Sequence, residues 1–207
     1  MKFNPQVPHE HYINNYDKKH RWISYWYQIN EVISTKPQKV LEIGPGNGTI
    51  SNYLKKICKI NVTTVDIDKN LNPDYVCSVT ELKNIFKKDS FDTVLCAQVL
   101  EHLPFRYFEE SLKNIQYVTK NYAIITLPHY GINISFKIKI LFGEFNFVLC
   151  IPYPKEHKFD GQHYWEIGKK GYSLRRIEKI ISKYFIILKN YLIPEHPYHR
   201  VFVLKKF

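Results

Sequence analysis

Two stretches of the chain hold the residue types best suited to chemistry. The first is VLEIGPGNGTIS, Val40 to Ser51, in which Gly44, Gly46 and Gly48 are spaced G-x-G-x-G. Glycine lets the backbone turn tightly and lets a ligand approach where a Cβ would block it. The apolar run before the glycines, broken only by Glu42, reads as a strand, and Thr49 to Ile57 reads as a helix. A helix start carries N–H groups without intrahelical acceptors. Strand, glycine turn and helix in that order make a nucleotide-type site. A dinucleotide site favours G-x-G-x-x-G with pyrophosphate on the helix end. Here the third glycine comes one residue early and Pro45 sits inside the loop. The second stretch is DGQHYWEIG, Asp160 to Gly168, where acid, imidazole, phenol and indole crowd into nine residues. An imidazole near neutral pH can take the proton of a hydroxyl as that hydroxyl attacks. His163 is the first choice for such a base. His129, just past a strand end, is the second.

The elements that position these residues alternate. Tyr16 to Ser34 has apolar residues at spacings of three and four and reads as a helix, closed by Lys36-Pro37. Strands are expected at Lys39 to Ile43, Asn61 to Ile67, Asp74 to Val79, Phe91 to Ala97 and Asn121 to Leu127. Leu103 to Thr119 and Lys170 to Tyr184 read as helices, and Phe185 to Leu192 with His199 to Leu204 as a terminal pair of strands. Residues 130–168 break this rhythm. Ile134, Phe136, Ile138 and Ile140 alternate with Ser135, Lys137 and Lys139, and Phe145, Phe147 and Leu149 repeat the period of two, as in a hairpin or flap. Alternating strands and helices of these lengths predict a mostly parallel sheet covered on both faces.

The glycine loop, strand order and terminal strand pair resemble the class I S-adenosylmethionine (SAM) methyltransferases over about residues 38–207, with the first motif E-x-G-x-G-x-G. The small-molecule branch is the nearer match. The resemblance implies an α/β, Rossmann-like sheet of seven strands, mostly parallel, with helices on both faces, an antiparallel last strand and an insert after the fifth strand. It implies SAM as cofactor. The ligand carries a sulfonium and an ammonium, so an acid at Glu42 beside the loop is sensible. Asp66 in TVDID stands where the family holds both ribose hydroxyls, and Ile67 where a side chain packs on adenine. Ser78 stands where many members carry an acid for the adenine amino group, a departure that leaves the Val79 backbone to read the ring. Gln98 falls beside the sulfonium end. Arg21, on the helix before the first strand, is placed for the methionine carboxylate.

VLEHLP after the fourth strand also matches the family. Small-RNA 2′-O-methyltransferases carry E-x-x-E-H there and bind a divalent metal. This chain reads Q-x-x-E-H, and magnesium prefers charged oxygen ligands. Glu101 and His102 are therefore read as orienting the loop, and no metal is expected. SAM is already activated, so in-line positioning supplies much of what a methyl transfer needs.

The charge is uneven. Residues 137–207 hold 14 basic and 6 acidic side chains, against 11 and 10 over residues 37–136. Such an excess suits an anionic substrate, although only five of the thirty basic residues are arginine, as in a compositional drift towards lysine. Four cysteines without C-x-x-C spacing, no long apolar run and no apolar stretch at the N-terminus fit a reduced, cytoplasmic protein. One methyltransferase domain is expected over 1–207, with 1–36 a helical lid and 130–168 a substrate-side insert. The expected function is methyl transfer to a small or medium polar acceptor, anionic or carbohydrate, at an oxygen of a sugar or glycan intermediate. The alternatives are an RNA methyltransferase using the basic last third, or a non-catalytic SAM-binding module. The apolar 134–149 segment reads as a lid, a homodimer contact or a membrane-surface patch.

Overall fold

The computed structural model describes residues 4–7, 9–12, 16–141 and 143–207. Of the expected lid, residues 1–3, 8 and 13–15 lie outside the described residues.

A seven-stranded sheet forms the centre, in the order β3-β2-β1-β4-β5-β9-β8. Strands β1 (Lys39–Ile43), β2 (Asn61–Asp66), β3 (Tyr75–Val76), β4 (Phe91–Ala97) and β5 (Thr119–Pro128) are mutually parallel. The last strand, β9 (His196–Lys206), runs antiparallel between β5 and β8 (Phe185–Ile193). This is the expected Rossmann-like arrangement. The hairpin strands β6 (Ile132–Ile140) and β7 (Gly143–Ile151) form a separate two-stranded sheet after β5.

The period of two along each strand feeds two cores. Leu41, Ile43, Val94, Cys96, Ile125 and Phe202 face one side, where α4 (Phe108–Val118) and α5 (Leu174–Ile181) pack. Val40, Val62, Leu95, Ile124 and Val203 face the other, against α1 (Lys19–Ser34) and α2 (Thr49–Lys56). Strands buried on both faces read as near-continuous apolar runs, as β4 and β5 do. The short α3 (Leu82–Ile85) joins β3 to β4. All four cysteines are free thiols. Among the described residues no helix is long and apolar enough to cross a membrane.

Several expected boundaries move, three of them for a clear local reason. The third strand shrinks to two residues because flanking polar groups are used otherwise. Asp74 accepts from the Thr64 N–H at 2.7 Å and hydroxyl at 2.9 Å, and Ser78 caps a 3₁₀ turn in a capping box with Glu81. The helix expected from Leu103 starts at Phe108, behind 3₁₀ turns at Leu100–His102 and Phe105–Tyr107 separated by extended Leu103 and Pro104. The helix expected from Lys170 starts at Leu174, capped by Ser173, because Gly171 turns the chain at φ 86°.

The insert folds back onto the sheet. Tyr130 N–H donates to the Ile167 carbonyl at 2.7 Å, and Ile167 N–H to the Pro128 carbonyl at 3.0 Å, extending the edge of β5. Trp165 anchors this return. It is fully buried against Phe105 and Phe108, and its indole N–H donates to the Leu103 carbonyl at 3.1 Å. Replacing Trp165 by alanine is expected to cost about 3–5 kcal/mol in urea unfolding, through lost packing and an orphaned carbonyl.

Candidate active site

The parallel strands β1, β2 and β4 all end at one edge of the sheet, and a cavity of about 570 Å³ opens there. That lies within the range of small-molecule sites, about 300–1,000 Å³. Open α/β sheets bind ligands at the carboxyl ends of their strands. Gly44 (φ 72°) and Gly46 (φ 55°) line the cavity, both in the left-handed region. A Cβ on Gly44 would run into Val99, so the β1 loop and the loop after β4 touch through a bare backbone. Gly48 (φ 75°) caps α2 on the outer side of the loop and is not among the lining residues.

Asp66, Ile67, Ser78, Val79, Gln98 and Arg21 also line the cavity. Asp66 accepts the Asp68 N–H at 2.8 Å, and burial raises its carboxyl above the usual range. The Ser78 hydroxyl serves its own turn, accepting from Thr80 N–H at 3.3 Å. Val79 opens that turn, so its N–H lacks an intrahelical acceptor. Arg21 stacks over the Tyr16 ring and donates to its hydroxyl at 3.0 Å, while its buried Nε has no partner among the described residues. Tyr12 lies beside the glycine loop, its hydroxyl pKa raised by burial and by nearby Tyr16, Asp66 and Asp68.

Glu42 is not brought to the cavity. It is buried facing Ser51 and Lys55 of α2, one carboxylate oxygen has no partner, and burial pushes its pKa up to about 8. His129 is likewise outside the lining residues. Its Nδ1 accepts from Arg200 Nε at 2.7 Å, and burial with that cation pushes it down to about 4.

His163 does reach the cavity. Its Nδ1 meets Glu166 Oε1 at 2.9 Å, and Tyr198 donates to the same oxygen at 2.5 Å. Burial opposes a charged imidazole, but Glu166, Glu101 and Asp160 outweigh it and raise the pKa. Glu101 is fully buried behind this wall and lifted by burial to about 7. Gln98, itself at φ 54°, is best satisfied with its amide N–H toward Glu101 Oε1 (3.2 Å) and its oxygen on Leu127 N–H (3.2 Å). His102 Nδ1 lies 2.9 Å from Gln6 Oε1, and burial with neighbouring His163 lowers its pKa to about 4. Glu101, His102 and His163 bring one ligand atom each within 4.8 Å of one another, a carboxylate and two imidazoles of the kind that hold divalent ions.

The structure also brings in residues the sequence reading passed over. Tyr198 and His199 reach the cavity from β9, which begins three residues before the strand expected from His199. The signal is the run of ring residues in HPYHR, which the strand lays beside the end of β5. Glu166 of DGQHYWEIG gains its role only through its contacts with His163 and Tyr198.

The family model described as "Methyltransferase domain" matches residues 41–127, the span from the glycine loop to the end of β5. Over that span the chain is similar to the methyltransferase domain family. The fold agrees across far more of its length. The structure of a magnesium protoporphyrin IX methyltransferase from Synechocystis with bound S-adenosylhomocysteine (SAH) superposes with TM-score 0.61 at 15% identity, covering 99% of this chain and 90% of that one. A Burkholderia thailandensis 1,6-didemethyltoxoflavin-N1-methyltransferase gives 0.58 at 15%, covering 100% and 93%. A SAM-dependent methyltransferase from Clostridium acetobutylicum gives 0.60 at 12%, covering 95% of each chain. The search of curated protein sequences finds no match.

The residues present fit the methyltransferase cofactor. A cradle without Cβ atoms, a partnerless guanidinium N–H and a carboxylate at the end of β2 stand together in one cavity. Asp66→Ala is expected to weaken SAH binding about 10- to 100-fold by calorimetry, the worth of hydrogen bonds to a charged group. Glu42 gives a separate test, on stability. Its folded pKa is above the ordinary 4.5, so the folded state holds its proton while the unfolded chain loses it between pH 4.5 and 8. Native stability therefore falls as pH rises through that window, by at most about 1.4 kcal/mol per unit. The Glu42→Gln variant should gain on the natural chain steadily over that window in denaturant titrations without ligand.

Proposed function

We propose that the chain transfers the methyl group of SAM to an oxygen of a small polar acceptor, a sugar or glycan intermediate. SAM supplies an electrophilic methyl on a sulfonium. Asp66 would hold the ribose hydroxyls, Arg21 the methionine carboxylate, and Ile67 with the Val79 N–H the adenine. The bare backbone at Gly44 and Gly46 admits the cofactor, and Gln98 borders its reactive end. Glu42 and Gly48 shape the loop from behind, and Ser78 fixes the turn that presents Val79. Gln6, Tyr12 and Tyr16, with Arg21 of α1, would cover this end as a lid.

One observation carries the acceptor reading. One stretch of the cavity wall is polar and aromatic, made by His102, Gln162, His163, Tyr164 and Tyr198, with His163 backed by Glu166. Rings with hydroxyl and imidazole edges suit the faces and hydroxyls of a sugar. Glu166, itself held by Tyr198, fixes the His163 ring and leaves Nε2 to take the acceptor's proton. His129, held by Arg200, supports the wall from behind. Two of the similar structures are of enzymes named for small-molecule acceptors, which supports a small acceptor here.

The test is release of SAH from SAM with a panel of sugars and nucleotide sugars. His163→Ala is expected to lower kcat by about 10²–10⁴ while SAH affinity is kept. A neutral imidazole is needed, so the rate falls as pH drops through the His163 pKa. Glu166→Gln removes a raising partner, and the acidic limb of the profile should move to lower pH. Full activity of His163→Ala would defeat the assignment.

A further inference from the structure

The β6–β7 hairpin stands apart from the main sheet, paired from Ile132↔Ile151 to Ile140↔Gly143. Its register puts every even position of β6 and every odd position of β7 on one face. That face carries nine large apolar side chains, at even positions 132–140 and odd positions 145–151. Each is between 40% and 61% exposed. The opposite face carries Lys137 and Lys139. A two-stranded hairpin alone is marginal in water and needs a further layer on its apolar face. The chain's own elements do not provide one among the described residues. The hairpin is tied to the rest of the chain away from that face, where Ser135 donates to the Pro194 carbonyl at 2.9 Å and Cys150 Sγ lies 3.8 Å from His129 Nε2.

We propose that this face is a homodimer interface, in which the hairpins of two copies pack face to face across a twofold axis. The patch argues for a second copy on two counts. Nine half-exposed aliphatic and aromatic side chains offer roughly 700–900 Å² on each copy, against about 800 Å² per partner in a stable complex. A chain of net charge +11 repels itself, yet this face is uncharged and puts the lysines of both copies on the outer sides. Two ribbons joined this way make a four-stranded sandwich with the ordinary sheet spacing of about 10 Å. A twofold contact uses the same patch on both copies and closes without leaving a free one. The segment leaving β7 runs to His163, so pairing also braces the chain that carries the imidazole to the cavity.

Sedimentation velocity of the full chain over about 1–100 µM tests this, a range that reaches the weak end for interfaces of this size. The expected result is a dimer mass. The Phe136→Lys/Phe147→Lys double variant should sediment as a monomer while binding SAH like the natural chain. If that pair fails to bind SAH, the single Ile138→Lys variant replaces it with the same expectation. A natural chain that stays monomeric throughout overturns the proposal. So does a variant that still dimerises, or a monomer whose apolar face instead carries it onto phosphatidylglycerol vesicles. The readout is mass, so its failure is separate from failure of the methyl-transfer reading.

Discussion

The site depends on one steric constraint, the close approach of two loops at Gly44 and Val99. At Gly44 the chain leaves β1 at positive φ and passes so near Val99 that no side chain fits between them. The ladder between β1 and β4 sets the spacing of their ends, the contact lets the two loops close above it, and the cavity opens beside them. Left-handed backbone costs glycine little and most other residues about 1–2 kcal/mol. Gln98 adopts φ 54° just before Val99, held by its N–H on the Thr126 carbonyl and by its amide contacts. Strain there is tolerated because the neighbouring strands over-determine it.

Electrostatics divide the cavity into two ends. At the cofactor end, Arg21 offers an unpaired N–H among tyrosines, and it and the Asp66 carboxylate both act on Tyr12. At the other end an acid–imidazole chain runs from Tyr198 through Glu166 to His163, with buried Glu101 on the far side. Each member shifts the next. Glu166 is hindered by burial yet held below the usual range by His163 and Tyr198, while Tyr198 is pushed up by burial and by Glu166. The arrangement fixes the imidazole's orientation and leaves one ring nitrogen for the acceptor.

Much of this was legible in the sequence. The glycine turn and the alternation of strands and helices gave the mostly parallel sheet, and the resemblance they carry implied its seven strands and antiparallel end. Turn and alternation are local patterns, set by backbone sterics and by periodicities of 2 and 3.6. The period-two pattern of 134–149 likewise gave the hairpin. What escaped needed long-range contacts. Glu42 reads as a ligand group beside the loop, but strand alternation turns it under α2, opposite to Ile43. His129 sits at the right strand end, but Arg200 from β9 captures it. Tyr198 and His199 reach the cavity only because β9 inserts beside β5 in one register, and Glu166 gains its partner only when Trp165 seats the returning insert. No local spacing encodes these pairings.

The most direct measurement is a crystal structure of the chain with SAH. The account predicts the ribose on Asp66, the carboxylate on Arg21 and the sulfur between Gln98 and His163, with open space on the His163 side for an acceptor. An SAH molecule bound elsewhere, or one whose sulfur faces away from His163, would contradict it.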